Sequence, residues 1–208
     1  GHSLHSYYTN RNEPYIYAGH TTFTAEVAST TNEALLMQYL IHATQSKAQK
    51  LYLLEYYINQ IIGTFYFQTL LAEFEKMSHE RMEKGEALSP KVIRATYRDL
   101  MEKYWGPEVY RDSISDLGAL RLYHFYRNFY VYQYATSYAA ATYLSREISL
   151  ENKEALAKYR EFLKTGSSDY PINILKKAGV DMSTSEPIDK TVELFNNLVN
   201  QFEKLLLE

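Results

Sequence analysis

Apolar residues recur at three- and four-residue intervals along almost the whole of this 208-residue chain, and nowhere do they alternate as in a half-buried strand. That pattern alone narrows the fold class to all-α. Residues 25–43 carry Ala28, Leu35, Leu36, Tyr39, Leu40 and Ala43 on one side of a helix. Residues 47–84 continue the spacing, with a bend expected at Gly63 and a stop at Gly85. Ser89-Pro90 opens another helix, with Ser as its cap and Pro in its first turn, and that helix runs to about Tyr104. The glycines and proline of 106–122 predict irregular chain. Further helices are expected over 128–148, 150–164, 170–178 and 187–207, the third closed by Gly179. With 8 Gly and 5 Pro, the chain has too few turn formers for a β sandwich or barrel.

Composition excludes several function classes. The 22 basic and 25 acidic residues are interspersed and nearly cancel, which leaves no nucleic-acid groove and no polybasic membrane patch. Two stretches lack charge, 56–72 and 128–145. The second holds Asn128, Gln133, Thr136, Ser137, Thr142 and Ser145, so it reads as a buried helix and not as a membrane span. With no cysteine, disulfide scaffolds, thiol catalysis and cysteine-based zinc sites are out, and a reducing, cytoplasmic setting is the default. The 21 Tyr, 9 Phe and 1 Trp are ample to fill a large core.

Two groups of residues could carry chemistry. His2 is followed by His5 one helical turn on, then by His20 and Glu26; a single histidine of this kind is more often not a ligand. The second group is aromatic. Tyr126, Tyr130, Tyr134 and Tyr138 recur every four residues and would form one slowly drifting stripe on a helix face. Such a stripe is either packed core or the wall of a wet cleft. Four buried phenols need four hydrogen-bond partners, whereas a hydrated cleft supplies them directly.

The run Gly1-His2-Ser3-Leu4-His5-Ser6-Tyr7-Tyr8, followed by Ala25-Glu26-Val27-Ala28-Ser29-Thr30-Thr31-Asn32-Glu33, resembles the active-site region of oligoendopeptidase F. That enzyme belongs to the thimet-oligopeptidase-like zinc metallopeptidases. Four later blocks resemble the same family. They are Gly63-Thr64-Phe65-Tyr66 to Ala72-Glu73-Phe74-Glu75, His124-Phe125-Tyr126 to Tyr134-Ala135-Thr136, Phe162-Leu163-Lys164 to Gly166-Ser167-Ser168, and Lys177-Ala178-Gly179-Val180-Asp181. Phe67 stands where the family commonly has Arg, and Ser137 where Gly is frequent.

The resemblance implies a zinc-dependent oligopeptidase that cuts short peptides by zinc-activated water. In the family the first run is the tail of His-Glu-x-Gly-His, whose two histidines share a helix face and grip one zinc while the Glu serves as general base. His2 takes the place of the second histidine and Glu26 that of the third ligand. The first histidine and the catalytic Glu would precede residue 1. The chain is therefore expected to be the C-terminal part (residues 1–208) of a single peptidase catalytic domain, without the upstream helical lobes, and inactive by itself. By the same resemblance His124, Tyr130 and Tyr134 are the substrate or transition-state binders, since phenol and imidazole N–H donors suit a developing oxyanion. Tyr126, Tyr132 and Tyr138 are read as packing.

Other residues carry less. His5 is read as a packed or supporting group near the metal, and Glu33 either as an orienting partner of a zinc-binding histidine or as an internal ion-pair partner. His20 is a substitute ligand candidate, and His42 and His79 are read as surface. Glu73 and Glu75 are read as buried charges in structural pairs. Oligopeptides are the implied partners, and no nucleic acid or membrane is. Faces over 56–72 and 128–145, without upstream lobes to cover them, would favour self-association. From a different function class, a non-catalytic helical scaffold with a tyrosine-lined groove is the alternative.

Overall fold

The computed structural model describes residues 1–208 and is helical, without strands. The helices are α1 (His2–Asn12), α2 (Thr22–Ala43), α3 (Lys47–Ile61), α4 (Phe67–Glu83), α5 (Pro90–Trp105), α6 (Tyr132–Ser149), α7 (Lys153–Phe162), α8 (Pro171–Ala178) and α9 (Glu186–Leu207). Short 3-10 turns stand at Tyr15–Tyr17, Ser115–Arg121 and Tyr123–Tyr126.

Local side-chain chemistry sets most helix ends. Thr21 accepts a hydrogen bond from the Thr24 N–H at 3.3 Å, which starts α2 three residues ahead of the expected Ala25. Ser89 caps α5, with Pro90 as its first residue, as the sequence predicts. Asn152 accepts from the N–H groups of Glu154 and Ala155 at 3.1 Å each, so α7 begins at Lys153 and not at Leu150. Gly179, at φ 103°, closes α8. The bend foreseen at Gly63 takes the form of a π-helical segment, Ile62–Tyr66, between α3 and α4.

The chain divides into two compact units, residues 1–62 with 136–208, and residues 63–135. In the first, α1 and α3 pack on α2, α3 runs along α9, and α7 pairs with α8. Val27, Ala28, Ala140, Leu144, Phe162, Leu175 and Val180 form one continuous core there. Fully burying each of its Val, Leu and Phe side chains contributes roughly 1.5–3 kcal/mol. Ser137, buried, donates from its Oγ to the Phe23 carbonyl at 2.9 Å and so ties α6 to α2. Ala139, Ala140 and Ala141 are fully buried beside it. Of the face expected to be uncovered over 128–145, the part from Ser137 onward is closed over because its small side chains admit neighbouring helices, while Phe129 and Tyr132 are exposed.

In the second unit α4 and α5 pack together, with the Ser115–Arg121 turn laid on α5. Leu70, Leu71, Phe74, Tyr97, Leu100, Ala119 and Val131 make its core. Asp116 is buried there and held by Arg98, with Arg94 at 3.8 Å.

The expected helix over 128–148 begins only at Tyr132. Phe129 sits at φ 54°, in the left-handed region, which no right-handed helix passes through. The tyrosine stripe is therefore not a helix face. Tyr126 and Tyr130 precede α6, and Tyr126, read as packing, is 89% exposed. Tyr132 is also exposed, whereas Tyr138 is buried as foreseen.

Candidate active site

The first candidate group lies in the unit of residues 1–62 and 136–208. Gly1 caps α1 directly against α2, so close that a Cβ on it would fall 2.3 Å from Ser29 Cα. That approach brings His2 Nε2 to 3.9 Å from Glu26 Oε2, with both side chains reachable from solvent. Ser29, one turn beyond Glu26, donates from its Oγ to Glu26 Oε2 at 3.1 Å and so fixes the carboxylate's orientation. Ser29 was not expected in this role, although its one-turn spacing from Glu26 is legible in the sequence.

Two donors converge here, and no group of three or more His, Asp or Glu side chains is arranged so that it could hold a metal ion. The pair suits zinc as part of a ligand set. Atoms bound to one zinc lie at most about 4.3 Å apart, and tetrahedral ligation asks for about 3.4 Å. The 3.9 Å separation is within reach of that by a small side-chain rotation.

His5 lies under this pair but faces the core. Its ring stacks on His20 at 3.7 Å and tilts against Phe162 at 5.3 Å. Burial, then the neighbouring His20, His2 and terminal amine, push the His5 pKa down to about 3. His20 is lowered also, again chiefly by burial. Thr9 Oγ1 donates to the His5 carbonyl at 2.8 Å, which fixes this turn of α1. Glu33 is exposed on α2, and His42 is exposed as expected.

The second group lies in the unit of residues 63–135. His124 occupies the Tyr123–Tyr126 turn. Its ring is parallel to that of Tyr130 (5.6 Å, 9°) and edge-on to that of Tyr134 (6.4 Å, 89°). Tyr123 stacks against His124 at 4.1 Å. The Tyr130 and Tyr134 hydroxyls are 3.1 Å apart, one donating to the other. A phenol that donates to another polarises the second O–H, so the pair is a stronger donor than either alone. The three residues singled out from the sequence are thus in mutual contact, although a turn and not a helix face assembles them. Arg127, 5.6 Å from the Tyr130 ring centre, and Tyr123 were not foreseen.

Glu73 and Glu75 differ in their pairing. Glu73 accepts from Lys103 at 2.7 Å and from the Tyr104 hydroxyl at 3.0 Å, and the Lys103 hydrogen bond leads in lowering its carboxyl pKa. Glu75, 4% exposed, accepts from a backbone group instead, the Phe129 N–H, at 2.8 Å.

Comparison with known proteins places the chain in a family. Residues 1–194 match Peptidase family M3. Oligopeptidase PepF of Bacillus subtilis (strain 168) is 47% identical over 208 residues, covering 100% of this chain and 31% of its own length. A plasmid-borne oligoendopeptidase F of Lactococcus lactis subsp. cremoris is 40% identical over 206 residues, covering 99% of this chain and 34% of its own. The crystal structure of oligoendopeptidase-F from Enterococcus faecium superposes with a TM-score of 0.89 at 39% identity, over 99% of this chain and 37% of that one. The chain spans about a third of the length of these relatives. The match over residues 1–194 and the whole-chain similarity show that the chain belongs to peptidase family M3.

Proposed function

We propose that residues 1–208 are the C-terminal part of the catalytic domain of a zinc-dependent oligopeptidase, acting on short peptides. The observation that carries this is the approach of His2 Nε2 to Glu26 Oε2, 3.9 Å across two helices packed through Gly1. In this reading His2 and Glu26 are two of the zinc ligands, and Ser29 holds Glu26 in the ligating rotamer. Zinc, when bound, supplies Lewis-acid polarisation of the scissile carbonyl. By the family resemblance, Tyr130, Tyr134 and His124 are assigned as hydrogen-bond donors suited to a developing oxyanion, an interaction strongest in the transition state. The remaining ligand and the general base come from sequence upstream of Gly1. No helix is long and apolar enough to cross a membrane, and the lack of cysteine supports a cytoplasmic setting.

The test compares the 208-residue chain with a version extended upstream to the length of the relatives. Metal content after dialysis and hydrolysis of a quenched fluorescent oligopeptide are measured for both. We expect stoichiometric zinc and turnover from the extended protein and neither from residues 1–208. An extended protein that binds no metal and cleaves nothing would leave the helical scaffold reading in its place.

A further inference from the structure

Glu75 is the one acid of α4 that is fully buried, and the ion pairs of that helix bypass it. Glu73 pairs with Lys103 and Glu80 with Lys76. A carboxylate taken out of water needs donors in return. Glu75 Oε1 takes the Phe129 N–H at 2.8 Å, across 54 residues of sequence. Hydrogen bonds to a charged acceptor are about twice as strong as neutral ones.

The residue so held is itself unusual. Phe129 is one of two non-glycine residues at positive φ, a backbone state that survives only where the surroundings impose it. One turn beyond Glu75 on α4, His79 places its ring 4.6 Å from the Phe129 ring. Glu75 thus grips the backbone of Phe129, and His79 its side chain. The next residue is Tyr130, whose hydroxyl meets that of Tyr134 and whose ring stacks on His124. Once Phe129 φ is fixed, the direction in which Tyr130 leaves the turn is fixed with it.

We infer that Glu75 is a positioning residue: by accepting the Phe129 N–H it holds Phe129 in the left-handed conformation that sets Tyr130 against His124 and Tyr134. The placement stands on geometry alone. Its consequence for catalysis rests on the reading of His124, Tyr130 and Tyr134 as oxyanion donors.

Nuclear magnetic resonance on the 208-residue chain, labelled at His and Tyr, tests the placement. Glu75→Gln keeps an acceptor oxygen, whereas Glu75→Met keeps the volume and removes it. The glutamine variant should retain the contacts of the His124 ring with Tyr130 and the ring-current shift they produce. The methionine variant should lose both while the Phe74–Tyr97 contact of the same unit persists. His124–Tyr130 contacts that survive in Glu75→Met would overturn the inference. If that variant does not fold, amide exchange of the parent chain decides: a Phe129 N–H exchanging as fast as its solvent-exposed neighbours would also overturn it.

In the extended peptidase, Glu75→Met should lower kcat about 10- to 100-fold with KM within about threefold, because misplacement of a donor by about 1 Å is costly. Glu75→Gln should restore most of it. A disrupted cluster with full kcat would uphold the placement and remove the oxyanion role. An intact cluster with reduced kcat would sink the inference and leave that role standing.

Discussion

Among the glycines of the unit that carries His2, Gly166 leaves the least room for a side chain, and replacing it by Ala should cost about 3–6 kcal/mol. Gly166 sits at φ 55°, and a Cβ there would fall 2.1 Å from the Tyr17 carbonyl oxygen and 2.6 Å from Thr9 Cγ2. Holding alanine in the left-handed region costs roughly 1–2 kcal/mol. Relieving an overlap that no side-chain rotation can absorb costs a further 1–3 kcal/mol or so. The displacement also stretches the hydrogen bond from the Ser167 N–H to the Tyr17 carbonyl, 2.8 Å, worth about 1 kcal/mol. Against a typical total of about 5–15 kcal/mol, that leaves little. The effect is not confined to the loop. Thr9 is fully buried and bonds from Oγ1 to the carbonyls of both His5 and Leu163, so pressure on its methyl loosens α1, the helix that bears His2. Urea denaturation of the 208-residue chain, followed by circular dichroism, measures the loss. Gly19→Ala is the control: its Cβ would meet nothing within 4 Å, so its effect should stay within about 0.5 kcal/mol. A Gly166→Ala midpoint as high as the control's would refute the reasoning.

Three further outcomes are expected. In the extended peptidase, Tyr134→Phe and His124→Ala should each lower kcat about 100- to 1000-fold at nearly constant KM, with exposed Tyr132→Phe close to silent; steady-state rates that follow Tyr132 instead would reverse the assignment. Ser29→Ala should weaken zinc binding about 10- to 100-fold in a chelator competition assay, by freeing the Glu26 carboxylate, and unchanged affinity would remove its orienting role. Stability of the 208-residue chain should fall on acidification: His5 is neutral when folded, with its pKa near 3 against 6.5 unfolded, so its contribution is full above pH 6.5 and is lost as pH drops towards 3. The slope is about 1.4 kcal/mol per pH unit, or roughly 2 kcal/mol between pH 7 and 5. Asp169, whose pKa Lys177 leads in lowering to about 2, weakens the fold only below its unfolded value of 3.8, so a flat stability profile from pH 7 to 5 would contradict the buried-neutral His5.

What the sequence made legible, and what it hid, follows from the range of the interactions involved. Ser89-Pro90 and Gly179 act within one turn of themselves, and the helix ends they announce are where the residues say. Asn152 acts at the same short range. The apolar periodicity runs on through it and masks it, although an Asn ahead of charged residues is itself a cap signal. The segment 123–131 is different in kind. Its four-residue tyrosine spacing is real, yet the chain there is bent by Glu75, 54 residues away, and a long-range hydrogen bond leaves no local trace. The family resemblance thus singled out His124, Tyr130 and Tyr134, which do meet, while helical spacing gave the segment the wrong secondary structure. Glu75 carried a partial signal, a charge in a largely apolar helix, but nothing to say that its partner would be a backbone N–H.

The same contrast bears on the proposed ligand pair in a way that donor identity alone does not capture. His2 and Glu26 are 24 positions apart in sequence, and they meet only because α1 and α2 approach to backbone contact at Gly1 and Ser29. Any side chain at position 1 would have to move one helix by about 1 Å to restore ordinary packing distance to Ser29. Added to the present 3.9 Å, a shift of that size along the line of the pair would carry the donors past the roughly 4.3 Å that one zinc can span. Small residues at both contact points therefore do what the ligands cannot: they set the spacing. Ser29 does so twice, as the atom that Gly1 rests on and as the donor that aims Glu26. The glycine preceding the histidine thus belongs to the metal-binding proposal beside the histidine, since it lets the two helices approach closely at the point where the pair meets.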